Sequence, residues 1–205
     1  MTCRPPGQAL IKLIEAAAYA LDVSEHSVSV VRLDVLPLDE VHELARVVAG
    51  WLRNAGFIEP NTRLDAMWQP SLWMPGREWR TAVEAVRWLD AFEKTANNGV
   101  DVERERSAHH PVENLEVAAC GLCGSVLPDE VYFETLEIWL DKGEPEIECS
   151  RCQSRALIGD WPAEFGFAVG SPAVRFNNWP SLRGSFVNEL RRQLGGRTFV
   201  VKAHT

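Results

Sequence analysis

Long hydrophobic runs are missing from this 205-residue sequence. The nearest approach, residues 9–21 (ALIKLIEAAAYAL), is interrupted by Lys12 and Glu15. It is too short to cross a bilayer, which takes about 20 apolar residues. Leu10, Ile14 and Ala17 recur at helical spacing, so the stretch is expected to form an amphipathic helix and not a signal peptide. Cysteine is scarce as well. There are five, and four of them form two C-x-x-C pairs, which argues against the disulfide framework of a secreted domain and suits an intracellular metal site. A cytoplasmic location is expected. Repeats and low-complexity tracts are lacking too. With 46 % hydrophobic and 24 % charged residues the composition is that of a packed globular protein. A chain of this length buries about 70 % of its unfolded surface.

The sequence also lacks the common motifs of catalysis. There is no G-x-x-x-x-G-K-[ST] phosphate loop, no G-x-G-x-x-G, no H-E-x-x-H and no G-x-S-x-G. No enzymatic activity is expected on these grounds. Carboxylates abound between residues 113 and 148, but their regular scatter fits a solvated acidic face better than a catalytic dyad.

Positive charge is unevenly spread. The net charge is −8, and residues 113–148 carry ten acids against Lys142 alone, whereas residues 149–205 carry eight Lys/Arg against three acids. An acidic segment therefore precedes a basic tail, an asymmetry that bears on partners and not on fold.

The periodicities predict an α+β protein with small mixed sheets packed against helices. Val31, Leu33 and Val35 alternate with Arg32 and Asp34 as in a strand. Asp39 can cap a helix bearing Val41, Leu44, Val48, Trp51 and Leu52 on one face, which Gly56 ends. Residues 57–79 read mostly as loop. Thr81 and Glu84 form a capping box ahead of Val83, Val86, Leu89 and Phe92. Val100 and Val102 suggest a short edge strand, and 104–113 (RERSAHHPVE) a linker in which His109 and His110 are solvated. Two domains are expected, 1–105 and 111–205. In the second, Phe133, Leu136, Trp139 and Leu140 fit a helix, Ala156 to Ile158 a strand, and Val174 with Phe176 another. Phe186, Val187, Leu190 and Leu194 then fit a helix stopped by Gly195-Gly196, ahead of a last strand through Phe199 and Val201. Cys3, near a terminus, has no expected role.

The two cysteine pairs carry the most specific signal. In a C-x-x-C turn two sulfurs converge on one ion while backbone N–H groups point at them, and Gly124 suits the left-handed position that follows. Cys120, Cys123, Cys149 and Cys152 are thus the expected ligands of one structural zinc ion. A rubredoxin-like iron site shares the same ligand pattern, and redox-active cysteines and metal-free packing are the other readings. Over residues 117–158 the arrangement resembles the zinc-ribbon family: Cys120-Gly121-Leu122-Cys123-Gly124 is close to its first turn. Cys149-Ser150-Arg151-Cys152-Gln153 is a looser second turn, with Gln153 where glycine is usual. The end of the chain, with Phe176-Asn177-Asn178-Trp179-Pro180 before a helix, resembles the C-terminal ends of small bacterial proteins, among them immunity proteins of toxin systems.

Two surfaces are candidate partner-binding sites. Glu134, Glu137 and Asp141 share one face of the expected helix. Trp68, Trp73 and Trp79 lie in a proline-containing loop, where tryptophan is a favoured anchor but equally seals a core. Trp139, Trp161 and Trp179 sit in patterned segments and are expected to pack. Zinc ribbons commonly bind nucleic acid, but here the charge leading up to and between the cysteine turns would repel phosphate and attract a basic protein. The expected function is therefore an intracellular protein-binding module for a basic partner, of the immunity type, without membrane association. The alternative is a nucleic-acid-associated ribbon using Arg151, Arg155, Arg175, Arg183, Arg191, Arg192 and Arg197.

Overall fold

The computed structural model describes residues 26–63, 70–84, 92, 98–111, 115–163 and 166–204. The chain forms two compact units: Glu25–Arg106 with Gly170–Val200, and Ser107–Val169 with Val201–Thr205. The first holds β1 (His26–Arg32), α1 (Leu38–Asn54), β2 (Ile58–Pro60), β3 (Trp73–Pro75) and β4 (Gly99–Glu103). The second holds β5 (Ser107–His109), α2 (Asp129–Lys142), β6 (Glu146–Glu148) and β7 (Arg155–Leu157), with β8 (Ala168–Gly170) at its end. The chain then returns to the first unit with β9 (Ala173–Asn177), α3 (Gly184–Leu194) and the start of β10 (Thr198–His204). The stretch 170–200, which the sequence placed in a C-terminal domain 111–205, thus supplies strand and helix to the first unit. The described helices and antiparallel strand pairs make this an α+β protein.

β1, β2, β3, β4 and β9 of the first unit belong to a six-stranded sheet in the order β10-β1-β9-β4-β3-β2. β9 lies between β1 and β4, antiparallel to both, so Phe176 faces Val28 on one side and Val100 on the other. Val174 likewise sits between Val30 and Val102. These rows put one apolar set on one face, as period-two alternation requires. The alternate residues are polar: Arg175 pairs with Glu103 at 3.1 Å, and Asn177 donates to Asp101 at 2.9 Å. Into the apolar face pack Val48 and Leu52 of α1 and Phe186, Leu190 and Leu194 of α3. Aromatic edges fill the space between them, with Phe176 meeting Trp179 at 5.1 Å and Phe186 at 5.7 Å between centroids.

Several expectations change. The first strand ends at Arg32, just past its last pairing with β9 at Val31 and Ala173, so Leu33 is buried beyond the strand and Val35 is exposed. Asp39 lies inside the first turn of α1 and not at its cap, which is Pro37; there its charge complements the helix dipole. Val41, Val48 and Leu52 are buried as expected, with Leu44 and Trp51 half-buried. The 57–79 loop contains β2 and β3, and because β3 pairs with β4 the latter is interior and not an edge strand. The 104–113 linker contains β5, with His109 buried and His110 stacked on Phe167 at 6.5 Å. Thr81 ends a short 3-10 turn, Trp79–Thr81, and most of the helix expected beyond it lies outside the described residues. So do the amphipathic helix of 9–21 and Cys3.

In the second unit α2 buries Tyr132, Thr135, Leu136 and Trp139, with the Trp139 ring 6.1 Å from Phe167. Phe133 and Leu140, expected among the core positions, are half-buried. β6 and β7 form a hairpin that pairs Glu148 with Arg155. No described helix is long and apolar enough to cross a membrane.

Candidate metal centre

The two C-x-x-C turns fold alike, residue for residue. In the first, the Gly124 N–H donates to Cys120 O and the Cys120 N–H to Ser125 O, each at 2.8 Å. In the second, the Gln153 N–H donates to Cys149 O and the Cys149 N–H to Ser154 O, again each at 2.8 Å. The residue after each second cysteine is left-handed, Gly124 at φ +68° and Gln153 at φ +59°. The flanking pairs correspond as well, Ala119 bridging Val126 as Glu148 pairs with Arg155. Each turn thus closes a short antiparallel pairing.

Folding brings the turns together. The four Sγ atoms of Cys120, Cys123, Cys149 and Cys152 lie within 4.8 Å of one another. Cys120 and Cys152 approach to 3.6 Å, and so do Cys123 and Cys149. These separations are far beyond a disulfide, whose S–S bond is about 2.05 Å. They are close to the roughly 3.8 Å that separates thiolates around a tetrahedral ion with metal–sulfur bonds of about 2.3 Å. The residues present therefore fit a four-thiolate metal site. Such a shell is closed, so the metal it takes holds structure and offers no position to substrate.

The local field already favours thiolate on one side. Cys120 is drawn down to about 6, chiefly by the Ser154 hydroxyl and then by the N–H groups of Cys123 and Leu122. Cys152 is lowered by the same hydroxyl and by the Ser154 N–H. At Cys123 the Ser125 N–H pulls downward, but burial and the sulfurs of Cys152, Cys149 and Cys120 outweigh it and push the thiol up to about 11. Four thiolates in contact cannot all ionise without a cation among them. Sequence reasoning found the ligands and missed Ser154; a serine two residues after the second cysteine of each turn was the available signal.

The candidate partner-binding residues are dispersed. Glu134 and Asp141 are exposed on the outward face of α2, beside Val131 (42 % exposed) and Ile138 (44 %), while Glu137 is half-buried. Trp79 is a correction: it is 3 % exposed, 4.4 Å from the Phe92 ring and 6.0 Å from Trp179, and belongs to the core of the first unit. A loop indole there contributes more by closing the apolar face than by meeting solvent. Trp73 is half-buried in β3 with the Arg53 guanidinium 5.2 Å from its ring centroid. Trp68 lies outside the described residues. Trp139, Trp161 and Trp179 are all buried.

Most of the tail arginines are tied into the fold. Arg155 bonds Glu148, Arg175 pairs with Glu103, Arg183 donates to Val83 O, Arg191 donates to Thr198 and Arg192 pairs with Glu189. The Arg197 N–H donates to Asp34 at 2.8 Å, whereas Arg151, at the tip of the second turn, is exposed. Comparison with known protein families, with curated proteins and with solved structures finds no match for this chain.

Proposed function

We propose that this protein is an intracellular binding module in which one zinc ion staples a small unit and α2 presents an acidic face to a basic protein. The observation that carries the reading is the exposure of Glu134 and Asp141 along one side of α2. They sit within a stretch, 113–148, holding ten acids and one lysine. Such a field speeds encounter with a positively charged partner and discourages anionic ones. An inhibitor of the immunity type, acting on a basic toxin or nuclease, fits that chemistry. Zinc suits the four thiolates because it accepts a closed tetrahedral sulfur shell without redox change.

A second reading, a nucleic-acid-associated ribbon, draws on the basic tail. Its support is weaker, because Arg155, Arg175, Arg183, Arg191 and Arg192 are engaged by neighbours within the fold. The test is direct. Elemental analysis of protein purified without chelator is expected to give one zinc per chain. The partner is then captured by crosslinking through residues of α2, identified, and its affinity compared with that for duplex DNA and single-stranded RNA across a salt series. Absence of metal removes the staple. Tighter binding to nucleic acid than to any captured protein favours the second reading.

A further inference from the structure

The two cysteine turns match in backbone but not in side-chain chemistry, and the mismatch falls on one residue pair. Ser125 and Ser154 occupy equivalent positions, and each accepts the N–H of the first cysteine of its own turn. The Ser154 hydroxyl, however, lies 3.3 Å from Cys120 Sγ and 3.2 Å from Cys152 Sγ. It therefore bridges a sulfur of the first turn to a sulfur of the second. Among the described residues the Ser125 hydroxyl makes no such bond, and the Ser154 hydroxyl has no partner other than these two sulfurs.

Resting on the metal reading above, we infer that Ser154 is a positioning residue of the metal site, whose hydroxyl, set between Cys120 Sγ of one turn and Cys152 Sγ of the other, holds the two turns in register. A divalent ion with four thiolates carries a net charge of −2, and each hydrogen bond donated to sulfur spreads part of it. Backbone N–H groups reach sulfur in both turns, those of Cys123 and Leu122 at Cys120, of Ser125 at Cys123 and of Ser154 at Cys152, and each acts within its own turn. The Ser154 hydroxyl instead reaches across the turns, to Cys120. A hydroxyl carries one proton, so in the loaded site Ser154 donates to one of the two sulfurs at a time. The consequence is a site with two unlike halves: Cys120 and Cys152, which share one hydroxyl donor, and Cys123 and Cys149, which among the described residues have none. Of the four cysteines, Cys152 is the exposed residue, and the hydroxyl sits beside it.

The test uses the full chain loaded with zinc or cobalt(II), as parent, Ser154→Ala, Ser154→Thr and Ser125→Ala. Zinc affinity is read by competition with a chromophoric chelator, and the sulfur-to-cobalt charge-transfer bands report the thiolate environment. Loss of an outer hydrogen bond of this kind lowers metal affinity by about 10-fold or more, so Ser154→Ala is expected to bind zinc about 10-fold more weakly and to shift the cobalt bands. Ser154→Thr keeps the hydroxyl and is expected to restore both, and Ser125→Ala to match the parent. Should Ser154→Ala not fold, the threonine variant still decides, since its failure to match the parent overturns the inference. So does an unchanged affinity and spectrum in Ser154→Ala, or an equal loss in Ser125→Ala. A parent that binds neither metal removes the metal reading itself, which is a distinct result.

Discussion

Gln153 repeats the backbone of Gly124: each follows the second cysteine of its turn, each is left-handed, and each donates its N–H to the carbonyl of the first cysteine at 2.8 Å. Glycine adopts that conformation freely, whereas a side chain at φ near +60° costs on the order of 1 kcal/mol. The second turn therefore holds a strained residue where the first does not.

That asymmetry gives opposite outcomes for two substitutions. Gln153→Gly is expected to stabilise the metal-loaded protein by about 1 kcal/mol, and Gly124→Ala to destabilise it by a similar amount. A Cβ on Gly124 meets nothing within 4 Å, so its cost is that of the backbone alone. Chemical unfolding of the zinc-loaded variants checks both signs. A neutral Gln153→Gly would show that packing of the glutamine side chain offsets the strain.

Metal uptake should release protons. The Cys123 thiol is pushed up to about 11, so at pH 7 it is protonated in the metal-free chain and must lose its proton to become a ligand. Cys120, near 6, is mostly thiolate at pH 7 and contributes less. As pH falls below about 6, protons compete for Cys120 as well, so zinc affinity is expected to drop more steeply there. Calorimetry in buffers of different ionisation enthalpy measures the protons released at pH 7, and fewer than about one per zinc contradicts the charge assignment. Cys149→Ser removes one ligand. It is expected to abolish stoichiometric zinc and expose Ser107–Val169 to protease, since binding energy for the metal is folding energy for the unit it staples.

The tryptophans separate by burial. Trp79→Ala should cost about 3–5 kcal/mol, the usual range for deleting a buried aromatic ring, because it empties a site packed by Phe92 and Trp179. Trp73→Ala removes a half-buried ring and its contact with Arg53, and is expected to cost about 1 kcal/mol or less beyond lost burial. Urea unfolding of the two variants ranks them. The reverse order would place the core elsewhere.

The cysteine ligands were legible because spacing alone confines two sulfurs to one turn, and Gly124 marked the backbone position after them. Helices α1, α2 and α3 were legible from apolar spacing. What escaped was pairing at a distance. Nothing local says that β3 shields β4, that β9 inserts between β1 and β4, or that Trp79 closes a core with Trp179, a hundred residues away in sequence. Ser154 escaped for the same reason, since its bond to Cys120 spans 34 positions.

The last prediction concerns α2. Glu134 and Asp141 lie seven residues apart and are exposed, so on the helix they form one column, with Val131 and Ile138 in the column beside it. Lysine at both acidic positions reverses four units of charge without touching the buried Tyr132, Leu136 and Trp139. Glu137 is left in place because it is half-buried, and its replacement would disturb packing as well as charge. Steering charges act mainly on the association rate and are screened over a Debye length of about 10 Å at 0.1 M salt. The Glu134→Lys/Asp141→Lys variant is therefore expected to associate with the basic partner about 10-fold more slowly at low salt, and the gap should narrow as salt rises. Dissociation should change little. Stopped-flow association at two ionic strengths decides the matter: equal rates for parent and variant at both would mean that these carboxylates only keep α2 solvated, and the docking face would have to be sought elsewhere.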